Sequence, residues 1–136
     1  MTAANGRDGR ECLEEVRAAA EDVRAFAAGL DEAGFAALPE ADRRTFRALK
    51  DALGEIAEAV GYLPPDLLAR HPEVDWRGWV GLREVVSHRH FGPELPLLQS
   101  TVVDELPALV AAVTSELART AGDSGHAAAA AGPNGG

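Results

Sequence analysis

Residues 40–61, EADRRTFRALKDALGEIAEAVG, decide the fold class. Phe46, Leu49, Leu53, Ile56 and Val60 recur at threes and fours, which places them on one stripe of an α-helix. Gly61 is a natural stop for that helix, read here as running from about Glu40 to Val60. The same period predicts a helix over 11–30, with Leu13, Val16, Ala20, Val23 and Ala27 inward, and Gly29 and Gly34 loosen the chain beyond it. Pro64 and Pro65 open a short helical turn over 66–70 that Pro72 ends. Trp76 to about Ser87 reads as a third helix with Trp79, Val80, Leu82, Val85 and Val86 apolar. After Gly92 and Pro93, a last helical stretch runs from Leu95 to about Arg119. Leu98, Val102, Leu106, Leu109, Val110, Val113 and Leu117 face inward there, and Pro107 should kink the stretch or begin a new helix.

Composition points the same way. At 136 residues the chain is the size of one domain. Its apolar residues are mostly Ala, Leu and Val, aromatics are few, and Ile56 is the single isoleucine. The expected architecture is all-α, four principal helices in a bundle over residues 10–120. A disordered lead-in at 1–9 and a disordered Ala/Gly-rich tail at 121–136 complete the chain. Cys12 is alone, so no intramolecular disulfide can form. Met1 to Arg10 is polar and lacks the apolar core of a secretion signal. No stretch reaches the roughly 20 apolar residues of a membrane span, so the expectation is a cytoplasmic protein with no membrane partner.

The net charge of −9 argues against nucleic-acid binding, because phosphate contacts need cations. The distribution changes that picture. Between Arg70 and Phe91, four arginines (Arg70, Arg77, Arg83, Arg89) face three acids (Glu73, Asp75, Glu84). This leaves the segment at +1 and the rest of the chain at −10. His71, His88 and His90, three of the four histidines, lie in the same segment.

Within it, Arg83 and His88 are the residue types that RNA cleavage without a metal requires. A histidine near its ordinary pKa exchanges a proton with a ribose 2′-hydroxyl or a leaving oxygen. A guanidinium holds the phosphate and offsets charge growing on its oxygens. Five residues turn a continuous helix by about 140° from face to face, so the pair can act together only if the helix ends near His88 or a second copy completes the site. Arg77, Arg89 and His90 are candidates for extending a phosphate-binding surface, or are simply solvated. His88 and His90 have the i, i+2 spacing of a metal pair on an extended strand, but the helical context and the lack of a nearby cysteine argue against a metal, and no cofactor is expected. His71 reads as structural, and Trp76 and Trp79 as packing residues on one helical face. Glu58 either orients Arg83 or sits on a helix surface. No Gly-rich phosphate loop is present.

The sequence resembles the HepT-like ribonuclease toxins of the HEPN superfamily. Their motif is an arginine, four residues, a histidine, one residue and a tyrosine, often followed by Phe-Gly. Arg83, His88, Phe91 and Gly92 fall on it. Ile56-Ala57-Glu58-Ala59-Val60 is similar to the family's Ile-Gly-Glu-Ala segment, LPPDLLARHPEVDW over 63–76 to its Leu-x-Pro-x-Leu…His-Pro-Glu-x-x-Trp run, Gly81-Leu82-Arg83 to Gly-Met-Arg, and Asp104-Glu105-Leu106-Pro107 to Asp-Leu-Pro. The likeness spans roughly residues 11 to 119. It implies a helical homodimer with Arg83 and His88 of both copies meeting in a cleft, a metal-independent endoribonuclease acting on RNA as a toxin. It also implies an MntA-like nucleotidyltransferase partner that silences the toxin by transferring AMP to the motif tyrosine. Here His90 occupies the tyrosine position and Glu84 follows the arginine, where the family typically has Asn or Asp. The alternative is a catalytically attenuated HEPN-like binding module that pairs with a nucleotidyltransferase.

Overall fold

The computed structural model describes residues 8–87 and 95–131, and it is all-α among them. Aspartates start the first three helices. Asp8 caps α1 (Gly9–Ala27) by accepting from the Glu11 N–H at 2.7 Å, and Asp31 caps α2 (Glu32–Ala41) by accepting from Gly34 at 2.7 Å. Asp42 caps α3 (Arg43–Val60), taking the Thr45 N–H at 3.1 Å and the Thr45 hydroxyl at 2.7 Å. Each carboxylate satisfies an N–H that has no partner inside the first helical turn. The Thr45 hydroxyl, followed by its N–H, holds the Asp42 carboxyl below its ordinary range. Replacing Asp42 with alanine should therefore lower the thermal unfolding midpoint by a few degrees, measured by circular dichroism at pH 7, without changing helix content. An unchanged midpoint would show that the cap does not hold α3.

Asp42 also corrects the helix expected from about Glu40. Its backbone leaves the helical region (φ −148°, ψ 80°), so α2 ends and α3 begins across one residue. The stretch read as loosened by Gly34 is itself helical, and Phe35 and Leu38 bury its inner face.

α3 is the central element. It packs against α1, α2 and α5, and α1 packs in turn on α7. All five apolar residues expected on its stripe are buried, with Ala52, Ala57 and Ala59 between them. α1 contributes Cys12, Leu13, Val16, Ala20 and Val23 to the same core. The turn expected after the double proline is α4 (Pro65–Ala69), and α5 spans Trp76–Ser87 as expected.

The last helical run is continuous: α6 (Leu95–Ser100), a π-helical turn over Thr101–Glu105, then α7 (Leu106–Ala131). Pro107 lacks an N–H and its ring crowds the preceding turn. The run takes it up by widening: the Leu106 N–H reaches back five residues to the Thr101 carbonyl. As far as Ala131, the stretch read as a tail continues α7. It is rich in alanine, the best helix former, and it extends a helix already nucleated. Residues 95–119 are long and apolar enough to cross a membrane by length and composition, which corrects the expectation that no segment is. In the fold, this run packs Leu106, Leu109, Val113 and Leu117 into the core beside a buried Glu116.

Candidate functional site

α5 carries the candidate arginine, and its start is fixed from both sides. Asp75 Oδ1 accepts from the Gly78 N–H at 3.0 Å, and a Cβ at position 78 would press on that carboxylate and make it shift. The Trp76 indole N–H reaches back to the carbonyls of His71 (2.9 Å) and Leu68 (3.1 Å), which ties the first residue of α5 to the end of α4. Trp79 and Leu82 then bury the inner face, and Val86 lies close to Gly54 of α3. Val80, apolar like its neighbours, is 44% exposed, because it lies about 100° around the helix from Trp79.

Arg83 is exposed on this anchored helix. Among the described residues it makes no ion pair, with Glu84 or with any other acid. Arg77 is also exposed, but six residues of helix place it about 120° away from Arg83, so the two do not share a face. His88, Arg89 and His90 lie outside the described residues. Glu58 is exposed on α3. It lines an acidic groove with Glu15, Asp22 and Glu55, and no bond joins it to Arg83.

Behind the start of α5 sits a polar cluster that joins it to α7. Glu116, 3% exposed, accepts from Arg70 Nε at 3.0 Å and Nη2 at 2.8 Å, a two-pronged ion pair. His71 Nε2 lies 2.6 Å from Glu116 Oε2, and its Nδ1 lies 3.2 Å from Glu73 Oε2. The Arg70 hydrogen bonds, and after them the one to His71, hold the Glu116 carboxyl down at about 2 against the opposing effect of burial. The same pairing raises the Arg70 guanidinium above its ordinary value. This agrees with the structural reading of His71 and identifies two members that the sequence reading missed, Arg70 and Glu116. Their one signal is a glutamate placed on the apolar stripe of α7, seven residues after Leu109 and three after Val113.

A second groove, of about 360 Å³, opens between α5 and the run from α6 into the π turn. Asp75, Gly78, Trp79, Gly81, Leu82 and Val85 form one wall, and Leu97, Ser100, Thr101 and Glu105 the other.

The chain has relatives among known proteins. Residues 16–115 match the family model described as ribonuclease HepT-like. A Methanocaldococcus jannaschii protein named as a candidate RNase is 33% identical over 66 residues, 48% of this chain and 54% of the relative, so the match spans about half of that protein's length. A Thermococcus cleftensis protein named as a probable ribonuclease HepT is 30% identical over 103 residues, covering 76% of this chain and 90% of the relative. A second M. jannaschii candidate RNase is 31% identical over 102 residues, covering 74% and 89%. No solved structure matches the chain at a significant level.

Proposed function

Because the chain belongs to the HepT-like ribonuclease family, we propose that it is a metal-independent endoribonuclease acting as the toxin of a toxin–antitoxin pair. His88 takes the proton of a ribose 2′-hydroxyl, the 2′-oxygen attacks the adjacent phosphorus, and the bond to the 5′-oxygen breaks as that oxygen takes a proton back from the His88 imidazolium. The products are a 2′,3′-cyclic phosphate and a 5′-hydroxyl, so the step needs neither water nor a metal. Arg83 holds the phosphate and offsets the charge that grows on its non-bridging oxygens. A homodimer brings two such pairs to one cleft, and a nucleotidyltransferase of the MntA kind is the restraining partner. His90 carries no phenol, so AMP transfer to a tyrosine at that position forms no part of this reading.

The observation that carries the proposal is the state of Arg83. It projects from a helix that is capped at its start and packed on α3, and no acid among the described residues occupies its guanidinium. The second reading, a non-catalytic module that works by pairing with the nucleotidyltransferase, is favoured by the net charge of −9 and by Glu84 and His90 in place of the family residues. Growth of a bacterial host after induction separates the two. Arrest by the parent chain and normal growth with His88→Ala is the expected result. Equal growth of both cultures, with soluble protein present, would instead select the binding module.

A further inference from the structure

The groove between α5 and the α6–π-turn run has an unusual chemical inventory, and it offers acceptors far more than donors. The hydroxyls of Ser100 and Thr101 both donate to the Leu97 carbonyl, at 3.0 and 2.8 Å, which leaves their oxygens able to accept. Asp75 is engaged by the Gly78 N–H. Glu105 makes no hydrogen bond or ion pair among the described residues. Between these polar groups the walls are apolar: Trp79, Leu82, Val85 and the 49%-exposed Leu97. At Gly81 an added Cβ would meet nothing within 4 Å, so this stretch of wall is open. Trp79 lines the groove as well. It is 2% exposed, and its indole N–H, a donor, has no partner among the described residues.

A ligand suited to this groove is flat, partly apolar and edged with donors. It is small as well, since the volume lies at the low end for ligand sites. Single-stranded RNA bases present such an edge and are commonly held by their Watson–Crick side and by contact with aromatic rings. Guanine alone among the four bases sets a ring N–H beside an exocyclic amine, and one carboxylate can accept both. The acids of the groove would repel phosphate, so only the base can enter. Arg83 follows the wall residue Leu82 in α5 but lies about 100° around the helix from it and is not part of the groove wall, so the pocket holds the base without it.

We propose that this groove is a guanine-recognition pocket for single-stranded RNA, with Glu105 as its specificity-determining residue. The proposal deepens the ribonuclease reading and rests on it for its biological sense, but it can be tested without cleavage.

The test is a titration of the full-length chain, labelled with ¹⁵N, with guanosine 5′-monophosphate and with inosine 5′-monophosphate. The two carry the same charge, and inosine lacks only the exocyclic amine. The guanine nucleotide should shift the Trp79 indole resonance and bind about tenfold more tightly than the inosine nucleotide, the effect of one hydrogen bond to a charged acceptor. In Glu105→Gln that preference should fall to about twofold or less. Gly81→Leu, which fills the groove from an exposed helical position, should abolish the shift while the thermal midpoint holds. Equal binding of the two nucleotides, or a preference that survives Glu105→Gln, overturns the proposal. A Trp79 resonance that moves on dilution and ignores both nucleotides also overturns it, assigning the groove to a second copy of the chain. Guanine binding by a parent chain that cleaves no RNA would keep the pocket and remove the nuclease reading, so the two failures are distinguishable.

Discussion

Arg83→Ala should lower kcat/KM for RNA cleavage by about 10²–10³-fold, the usual effect of deleting one donor that meets charge developing in a transition state. The same substitution should leave the thermal midpoint within about two degrees of the parent. Arg83 is exposed and holds no ion pair among the described residues, and such surface positions carry little stability. Arg83→Lys should recover only a small part of the loss, because an ammonium cannot bridge two phosphate oxygens as a guanidinium does. Single-turnover cleavage of a labelled oligonucleotide, in buffer with EDTA, compares the activities of the three proteins, and thermal melts compare their midpoints. Full activity in Arg83→Ala would remove this residue from the mechanism. Lost activity with a midpoint lowered by about ten degrees would mean that Arg83 acts through folding.

Glu116→Ala is expected to be the most damaging single change to stability. It strips a buried carboxylate from Arg70 and His71 together and leaves both without their shared partner. Breaking a buried pair of this kind costs on the order of 3 kcal/mol, or roughly ten degrees in midpoint for a domain of this size. Arg70→Ala should cost less than the sum implies when combined with Glu116→Ala, since the two substitutions remove one interaction.

The pH dependence gives a second check with a definite sign. The Glu116 carboxyl is lowered from 4.5 to about 2 in the folded chain, first by Arg70 and then by His71. Its contribution is therefore complete above about pH 4.5 and disappears as the pH falls toward 2, a loss on the order of 3 kcal/mol. Urea unfolding of the parent should show that decline between about pH 4.5 and 2.5, and Glu116→Ala should decline less there by about that amount, the remainder coming from other lowered carboxyls such as Asp42. Parallel curves for the two proteins would mean that the cluster does not stabilise the fold.

How much of the fold is legible in the sequence depends on the range of the interactions. Phe46, Leu49, Leu53, Ile56 and Val60 declare their helix because burial of one face is a local pattern, and all five are buried. The prolines around α4 are equally legible, since they act on their own turn. The break at Asp42 is legible in principle, but apolar stripes do not reveal it, because the charged run from Glu40 to Arg44 interrupts none of them. Asp8, Asp31, Asp42 and Asp75 all accept from the residue three places on, so reading caps before stripes finds α2. Glu116 is a different matter. Its burial depends on Arg70 and His71, 46 and 45 residues away, and no local rule pairs them. Arg83 and His88 stand between these cases. Their chemistry is visible in the residue types, but their spacing on a helix argues against a shared face, and only the family likeness singles them out.

The π-helical turn at Thr101–Glu105 works as a phase shifter. One extra residue in a helical run rotates everything beyond it by about 100°. Leu98 on one side of the turn and Leu106, Leu109 and Val113 on the other all reach the core, although the wider turn between them resets the rhythm of an unbroken helix. A chain shortened by one residue within 101–105 could keep α7 seated on α1 only by swinging Leu97 and Ser100 out of the groove wall. The shape of that wall is thus encoded by a count of residues as much as by their kinds, and the length of this turn is a dial that can change what the groove accepts while the core stays as it is.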